Sequence, residues 1–104
     1  MGPTTKVPEK GFYYHFKHDL LGSLENYAYE VMGVARHSED GSYLVIYRPL
    51  YKNTYPDAAD YSARPLEMFM EEVARDGKTF SRFKKITDAA VIAQLEIIKD
   101  NMYG

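Results

Sequence analysis

The stretch from Tyr29 to Tyr51 reads Tyr-Glu-Val-Met-Gly-Val-Ala-Arg-His-Ser-Glu-Asp-Gly-Ser-Tyr-Leu-Val-Ile-Tyr-Arg-Pro-Leu-Tyr, and it decides the fold. Two runs rich in Val, Ile and Tyr flank a polar Asp40-Gly41 pair, a combination that predicts an antiparallel β-hairpin. Both runs carry apolar residues on both faces, which is typical of strands that are covered on both sides. The hairpin therefore favours a mainly β protein with a barrel.

The turn of this hairpin admits two lengths. Asp40-Gly41 alone forms a two-residue loop, whereas Glu39 to Gly41 forms a three-residue loop with a bulge, and the glycine adopts a positive φ in both. Because side chains alternate between the two faces of a strand, the choice places Val34 opposite either Tyr47 or Ile46. The sequence leaves this register open.

Composition bounds the class of protein. The 104 residues are enough for one domain with a single core. The chain contains no cysteine, which excludes disulfides and thiolate metal sites and indicates the cytoplasm. No apolar run approaches the roughly 20 residues of a membrane span, so we expect neither secretion nor a membrane partner. The net charge of −2 excludes polyanion binding by bulk electrostatics but leaves room for a local basic strip.

The chain before the hairpin divides into three segments. Residues 1–10 contain two prolines among small and polar residues, which predicts a flexible N-terminal arm. Residues 11–17 are aromatic with loose alternation, and they predict a first strand with Phe12 and Phe16 inward. Residues 18–26 hold polar and small residues around three leucines, which is typical of a loop.

The chain after the hairpin predicts fewer regular elements. Residues 52–63 are polar and contain a proline, so we expect a surface loop. Residues 64–70 predict a helical turn that becomes a strand. A second hairpin is predicted around Asp76-Gly77, between residues 70–75 and 78–86.

Residues 87–102 have helical periodicity. Thr87 is the predicted cap, and apolar residues recur at i, i+4, i+7 and i+11. This stripe consists of Val91, Leu95, Ile98 and Met102. We expect it to pack on the flank of the β domain, with a symmetric homodimer as the alternative. The predicted contact on that flank is formed by Leu20, Leu21 and Leu24.

Five motifs occur in order along the chain. They are His15-Phe-Lys17, Tyr29-Glu-Val-Met-Gly-Val-Ala-Arg-His-Ser-Glu39, Val45-Ile-Tyr-Arg-Pro-Leu-Tyr51, Arg64-Pro-Leu-Glu-Met-Phe69 and Arg82-Phe83. In this order they resemble a bacterial family called domain of unknown function 1653. The resemblance covers about residues 11–86 and implies a small SH3-like barrel in a soluble bacterial protein with no established activity.

The resemblance completes the predicted architecture. We expect a mainly β fold, an SH3-like β-barrel of about five antiparallel strands with an added C-terminal α-helix. Its segments are a flexible arm (1–10), the barrel domain (11–86) and the helix (87–104), which packs on the barrel or in a dimer. Residues 19–27 look inserted relative to the family, and the helix lies outside the shared region.

The histidines are the candidate metal ligands. His15 and His18 form a His-x-x-His pattern beside Asp19, with His37 elsewhere, and imidazoles with a carboxylate are zinc ligands. Residues three apart on a strand point to opposite faces, so we expect surface or capping roles and no metal or other cofactor. His37-Ser38-Glu39 holds the residue types of a catalytic triad, but adjacent strand residues diverge. We predict no catalytic residue.

Arginines and tyrosines near the predicted strands are the candidate binding residues. Small barrels bind chains by laying them over exposed aromatic rings with Arg or Lys at the rim. We therefore expect a non-enzymatic binding module for a peptide, a protein or a nucleic-acid strand. The alternative is a structural or regulatory homo-oligomer built on the C-terminal helix, and an enzyme is the third class. The candidate ligand-binding residues are His15, Lys17, His37, Tyr47, Arg48, Tyr51 and Arg64.

Overall fold

The computed structural model describes residues 7–51 and 61–103. These residues form, in chain order, β1 (Gly11–His15), β2 (Ala28–Arg36), β3 (Tyr43–Pro49), β4 (Ser62–Pro65), α1 (Leu66–Phe69), β5 (Glu72–Arg75), β6 (Lys78–Ser81), β7 (Phe83–Lys85) and α2 (Ala89–Tyr103). One antiparallel sheet has the order β4-β3-β2-β1-β7, and β5 pairs with β6 alone. The mainly β class with a C-terminal helix is confirmed. The described strands form no closed barrel.

The central hairpin of β2 and β3 is present, but both predicted registers are wrong. Val34 pairs with Val45. The turn is longer than expected, because the N–H of Gly41 donates to the carbonyl of His37 at 2.8 Å and the N–H of His37 donates to that of Ser42 at 2.7 Å. Gly41 has the predicted positive φ, 77°.

A bulge changes the register along the hairpin. Val31 pairs with Tyr47, but Gly33 pairs with Ile46, so one extra residue of β2 lies between these pairs. The extra residue increases the local twist of the strand. Val31 and Tyr47 are both buried on the same side of the sheet.

Alternate residues of β1 pack on opposite sides of the sheet. Tyr13 belongs to the inner core, which consists of Tyr13, Val31, Val45, Tyr47, Leu66, Phe69 and Phe83. Phe12 belongs to the helix-side core, which consists of Phe12, Ala28, Leu50, Ile86 and Leu95. Phe12 is buried as predicted, but Phe16 lies in a turn beyond β1 and is half-buried. The strand ends early because the N–H of His18 turns back to the carbonyl of His15.

The second hairpin forms at the predicted place. Asp76 and Gly77 both have positive φ, 53° and 74°, as a two-residue type I′ turn requires. The strand predicted over residues 78–86 is nevertheless broken at Arg82. The N–H of Arg82 donates to Glu71 and its carbonyl accepts from Phe16, so this residue connects the hairpin to the larger sheet.

The structure describes parts of two segments that were predicted to be irregular. The loop predicted over residues 52–63 is wrong for Ser62 and Ala63, which pair with Tyr47 and Ile46 in β4; residues 52–60 lie outside the described part of the chain. In the predicted arm, Pro8 is buried and the Glu9 carbonyl accepts from the Tyr13 hydroxyl at 2.8 Å. The described end of this segment therefore packs on the sheet, and residues 1–6 are not described.

Helix α2 begins one residue later than expected. Asp88, not Thr87, caps it, because the Asp88 carboxylate accepts from the N–H groups of Ala90 at 2.9 Å and Val91 at 3.3 Å. The Tyr103 hydroxyl donates to the Pro49 carbonyl at 2.5 Å near the other end. Neither described helix is long and apolar enough to cross a membrane.

The predicted apolar stripe of α2 lies largely against the sheet. Leu95 is fully buried in the helix-side core, and the half-buried Val91 and Ile98 pack around it. Leu20 and Leu21 were expected to cover the stripe, but both are almost fully exposed because residues 19–27 form their own hydrogen-bonded turns. The third leucine of this loop, Leu24, does pack on the helix-side core.

Candidate functional site

One end of the inner core reaches the surface through aromatic rings and one arginine. We call this group the aromatic face; its surface members are His15, Tyr27, Tyr29, Tyr51 and Arg64, above the buried Tyr47 and Phe83. The hydroxyls of Tyr29 and Tyr51 are hydrogen-bonded at 2.5 Å. The ring of Tyr27 lies 5.9 Å from that of Tyr51 and 5.8 Å from that of His15.

Five different parts of the chain position these side chains. His15 ends β1, Tyr29 lies at the start of β2, Tyr51 follows β3 and Arg64 lies in β4. Tyr27 precedes β2 with a φ of 54°, a left-handed conformation that is unfavourable for a bulky side chain. Hydrogen bonds on both sides hold this conformation, since the carbonyl of Tyr27 accepts from the N–H of His15 at 3.0 Å and the N–H of Ala28 donates to the carbonyl of Glu25 at 3.0 Å.

His15 is uncharged at neutral pH. Its pKa falls from 6.5 to about 4, and the largest cause is burial of the imidazole. The remaining causes are the positive charges of Arg82, Arg64 and Lys17. Nδ1 of His15 accepts from the backbone N–H of Lys17 at 3.2 Å, so the single proton of the neutral ring lies on Nε2. The ring therefore presents an N–H donor among cations.

The cations around His15 are only partly neutralised. Arg82 forms an ion pair with Glu71 at 2.5 Å, but its buried Nε has no hydrogen-bond partner among the described residues. Arg64 donates from Nε to the Tyr47 hydroxyl at a long 3.4 Å. Within residues 7–51 and 61–103, neither Arg64 nor Lys17 lies within ion-pair distance of a carboxylate. Among the described residues, the cations near His15 thus outnumber the carboxylates that pair with them.

The structure brings together four of the seven candidate ligand-binding residues. His15, Tyr47, Tyr51 and Arg64 belong to the aromatic face, and Lys17 adjoins it through its contact with His15. That these residues bind a ligand stays a prediction.

Arg48 and His37 lie elsewhere. Arg48 pairs with Glu30 at 2.8 Å, and its guanidinium carbon lies 3.9 Å from the centroid of the Tyr103 ring, beside α2. His37 lies in the hairpin turn, where its Nδ1 accepts from the N–H of Glu39 at 3.1 Å. Both side chains therefore have structural contacts away from the aromatic face.

Several members of the aromatic face are absent from the seven residues predicted to bind a ligand. Tyr29 faces Tyr47 across the hairpin at a ring distance of 5.4 Å, and strand alternation combined with the correct register would have placed it there. Phe83 was recognised as part of the Arg82-Phe83 motif but was not among the candidate ligand-binding residues. Tyr27 had no sequence signal, because its position depends on the fold of residues 19–27.

The two histidines of the His-x-x-His pattern diverge. His15 packs against Phe83 at a ring distance of 5.1 Å on the inner side. His18 stacks on Tyr14 at 3.6 Å, and its Nδ1 lies 2.7 Å from the Asn26 carbonyl oxygen. In the described part of the chain, no three side chains of the metal-ligating types come together.

This architecture defines a small antiparallel β protein with an aromatic, cationic surface. The family model described as "Protein of unknown function (DUF1653)" matches residues 11–85, and the chain belongs to this family. The crystal structure of a DUF1653 protein from Bordetella bronchiseptica is similar, with 26% identity and a TM-score of 0.59 over 77% of this chain and 92% of that chain. A comparison with curated proteins gives no match. The expected family is confirmed.

Proposed function

We propose that the protein is a non-enzymatic binding module whose aromatic face holds an extended anionic ligand. The observation that carries the proposal is the surroundings of His15, a neutral imidazole close to the three cations Arg82, Arg64 and Lys17. Only Arg82 forms an ion pair with a described carboxylate, that of Glu71. A bound anion supplies the missing counter-charge. Rigid aromatic rings add contact area at a low cost in side-chain entropy.

The curvature of the sheet supports an SH3-like arrangement as part of this proposal. Arg64 of β4 and Phe83 of β7 contact each other although they belong to opposite edge strands. Small β-barrels of this kind bind chains across exposed rings with cations at the rim. We also place the protein in the cytoplasm, a proposal that the lack of cysteine supports.

The test uses inorganic pyrophosphate as the anionic probe and the NMR signals of the His15 ring as the readout. We expect saturable shifts of the His15 signals at neutral pH, because the anion approaches the Nε2 proton. Arg64→Gln should weaken binding about tenfold, as expected for loss of a hydrogen bond to a charged group. Arg36→Gln, at the exposed far end of the hairpin, is the matched control. Shifts that are absent, or equal in both variants, would overturn the proposal.

A homo-oligomer built on α2 is the second candidate. One observation favours it: Ile97 is 62% exposed on the helix. Light scattering of the wild type and of Ile97→Asp tests it, because a dimer through this surface would become a monomer on substitution. A monomeric wild type would exclude this candidate.

A further inference from the structure

A second concave surface adjoins the aromatic face at His15. It consists of two neighbouring hollows of about 450 Å³ and 260 Å³ between the end of β1 and the β5–β6 hairpin. Phe16 and Phe80 line both hollows and so form a shared apolar floor. His15 lines the larger hollow. We call the two hollows together the Phe16–Phe80 groove.

The Phe16–Phe80 groove has a positive rim. Lys84 lines the larger hollow, and Arg75 and Lys78 line the smaller one. The single carboxylate that lines either hollow is that of Asp76, among the residues the structure describes. None of the three cations forms an ion pair with a described carboxylate. An anionic partner would supply the charge that the groove lacks.

The Phe16–Phe80 groove also contains an exposed aromatic ring and residues with hydroxyl groups. Phe80 is 43% exposed, and it lies in a strand whose four residues are all exposed. Thr79 and Ser81 also line the larger hollow. Ser and Thr hydroxyls are frequent partners of phosphate oxygens, and exposed aromatic rings are stacking platforms for unpaired bases.

We propose that the Phe16–Phe80 groove binds a single strand of nucleic acid. Bases stack on Phe16 and Phe80, and the cations neutralise the phosphates. The proposal rests on the proposed function, since His15 belongs to both surfaces. A purely acidic peptide such as polyglutamate would satisfy the cations, but it has no ring to stack on the two phenylalanines.

The test is fluorescence anisotropy with a labelled oligothymidylate of about 15 nucleotides, a length that matches the site sizes of comparable small domains. A duplex and a polyglutamate peptide of equal length are the competing probes. We expect the protein to bind the single strand at least tenfold more tightly than the duplex or the polyglutamate peptide. A plot of the logarithm of the binding constant against the logarithm of the salt concentration should have a slope near −2, as expected when three phosphates are neutralised. Equal affinity for polyglutamate would overturn the proposal in favour of a general polyanion site.

Two pairs of matched variants locate the binding. Phe80→Ala should weaken oligothymidylate binding about tenfold through lost stacking, whereas Tyr43→Ala, at a ring 50% exposed in β3, should not. Arg75→Gln should make the salt slope less negative by about 0.7, and Arg36→Gln should leave the slope unchanged. Circular dichroism checks that each variant is folded. Unchanged binding by Phe80→Ala and Arg75→Gln would overturn the proposed site.

The outcomes separate this inference from the proposed function. If pyrophosphate shifts the His15 signals but the oligothymidylate does not bind, the nucleic-acid inference fails and the anion-binding module stands. If neither probe binds, both fail. Binding that is lost in Arg64→Gln but kept in Phe80→Ala would confine the strand to the aromatic face and reject the groove.

Discussion

The guanidinium carbon of Arg64 lies 5.5 Å from the centroid of the Phe83 ring, although the strands that carry these residues lie at opposite edges of the five-stranded sheet. The sheet must therefore curl strongly around the inner core. Cation–π contacts of this kind contribute about 0.5 to 2 kcal/mol. The same contact places a cation over the rings beside His15, so the curvature that closes the core also builds the aromatic face.

Phe83 is the residue on which this curvature depends most. Its buried ring stacks on Phe69 at 4.2 Å and contacts Tyr47 and His15 at 5.8 and 5.1 Å. We predict that Phe83→Ala lowers the free energy of unfolding by about 3 to 5 kcal/mol, measured by urea denaturation. Phe80→Ala, at an exposed ring, should cost less than about 1 kcal/mol. A loss for Phe83→Ala as small as the one expected for Phe80→Ala would mean that the inner core does not depend on Phe83.

The hairpin turn gives a second prediction. Gly41 has a φ of 77°, and a Cβ atom there would meet only the flexible end of Arg36 at 3.4 Å. The cost of Gly41→Val is therefore backbone strain, about 1 to 3 kcal/mol, measurable as a lower thermal midpoint. Gly41→Asn is the matched control, because asparagine tolerates the left-handed conformation. Equal midpoints for the two variants would contradict the strain argument.

The positions of the tight turns could be predicted from the sequence, whereas the long-range packing could not. Gly41 and the Asp76-Gly77 pair mark their turns because few other residues adopt a positive φ. The register around Val34 was missed, since it depends on hydrogen bonds that lengthen the turn, whereas the bulge beside Gly33 shifts only the pairs beyond it. The strand through Arg82 was predicted to continue because its backbone bonds to distant residues are invisible in a local pattern.

The residues of the candidate site could likewise be predicted only in part. Tyr47 and Arg64 have the residue types and the strand placement of a binding surface, and they do lie together. Arg48 follows Tyr47 directly in β3, so strand alternation places its side chain on the opposite, helix side of the sheet, where it contacts Glu30 and Tyr103. Tyr27 belongs to the aromatic face because of the geometry of the loop that precedes β2, and this loop has no hydrophobic periodicity from which its conformation could be predicted.

The buried neutral state of His15 predicts a pH dependence of stability. The pKa of its imidazole is about 4 in the folded protein, against the ordinary value of 6.5 that applies to the unfolded chain. Between these values the unfolded chain binds more protons, so the free energy of unfolding falls as the pH decreases through this range. The charged groups that face His15 are Arg82, Arg64 and Lys17, and all three lower the pKa of its imidazole.

His15→Gln tests this pH dependence. From about pH 7.5 to about pH 5, the thermal midpoint of the wild type should fall more than that of His15→Gln, which lacks the titrating group. His37→Gln is the control, since that ring lies in the exposed turn. If His15→Gln and the wild type lose stability in parallel, the imidazole is not held neutral by the fold.

The last prediction concerns the attachment of α2. Leu95 is fully buried among Phe12, Leu50 and Ile86, so a carboxylate at this position would lie without a counter-charge in an apolar core. Leu95→Asp should therefore destabilise the protein by about 3 kcal/mol or more. Light scattering should find a monomer before and after the change, because the sheet of the same chain covers this side chain. Ile97→Asp, on the exposed side of the helix, is the control and should leave the thermal midpoint nearly unchanged. A wild-type dimer that Leu95→Asp converts into a stable monomer would show instead that a second copy, and not the sheet, covers the stripe.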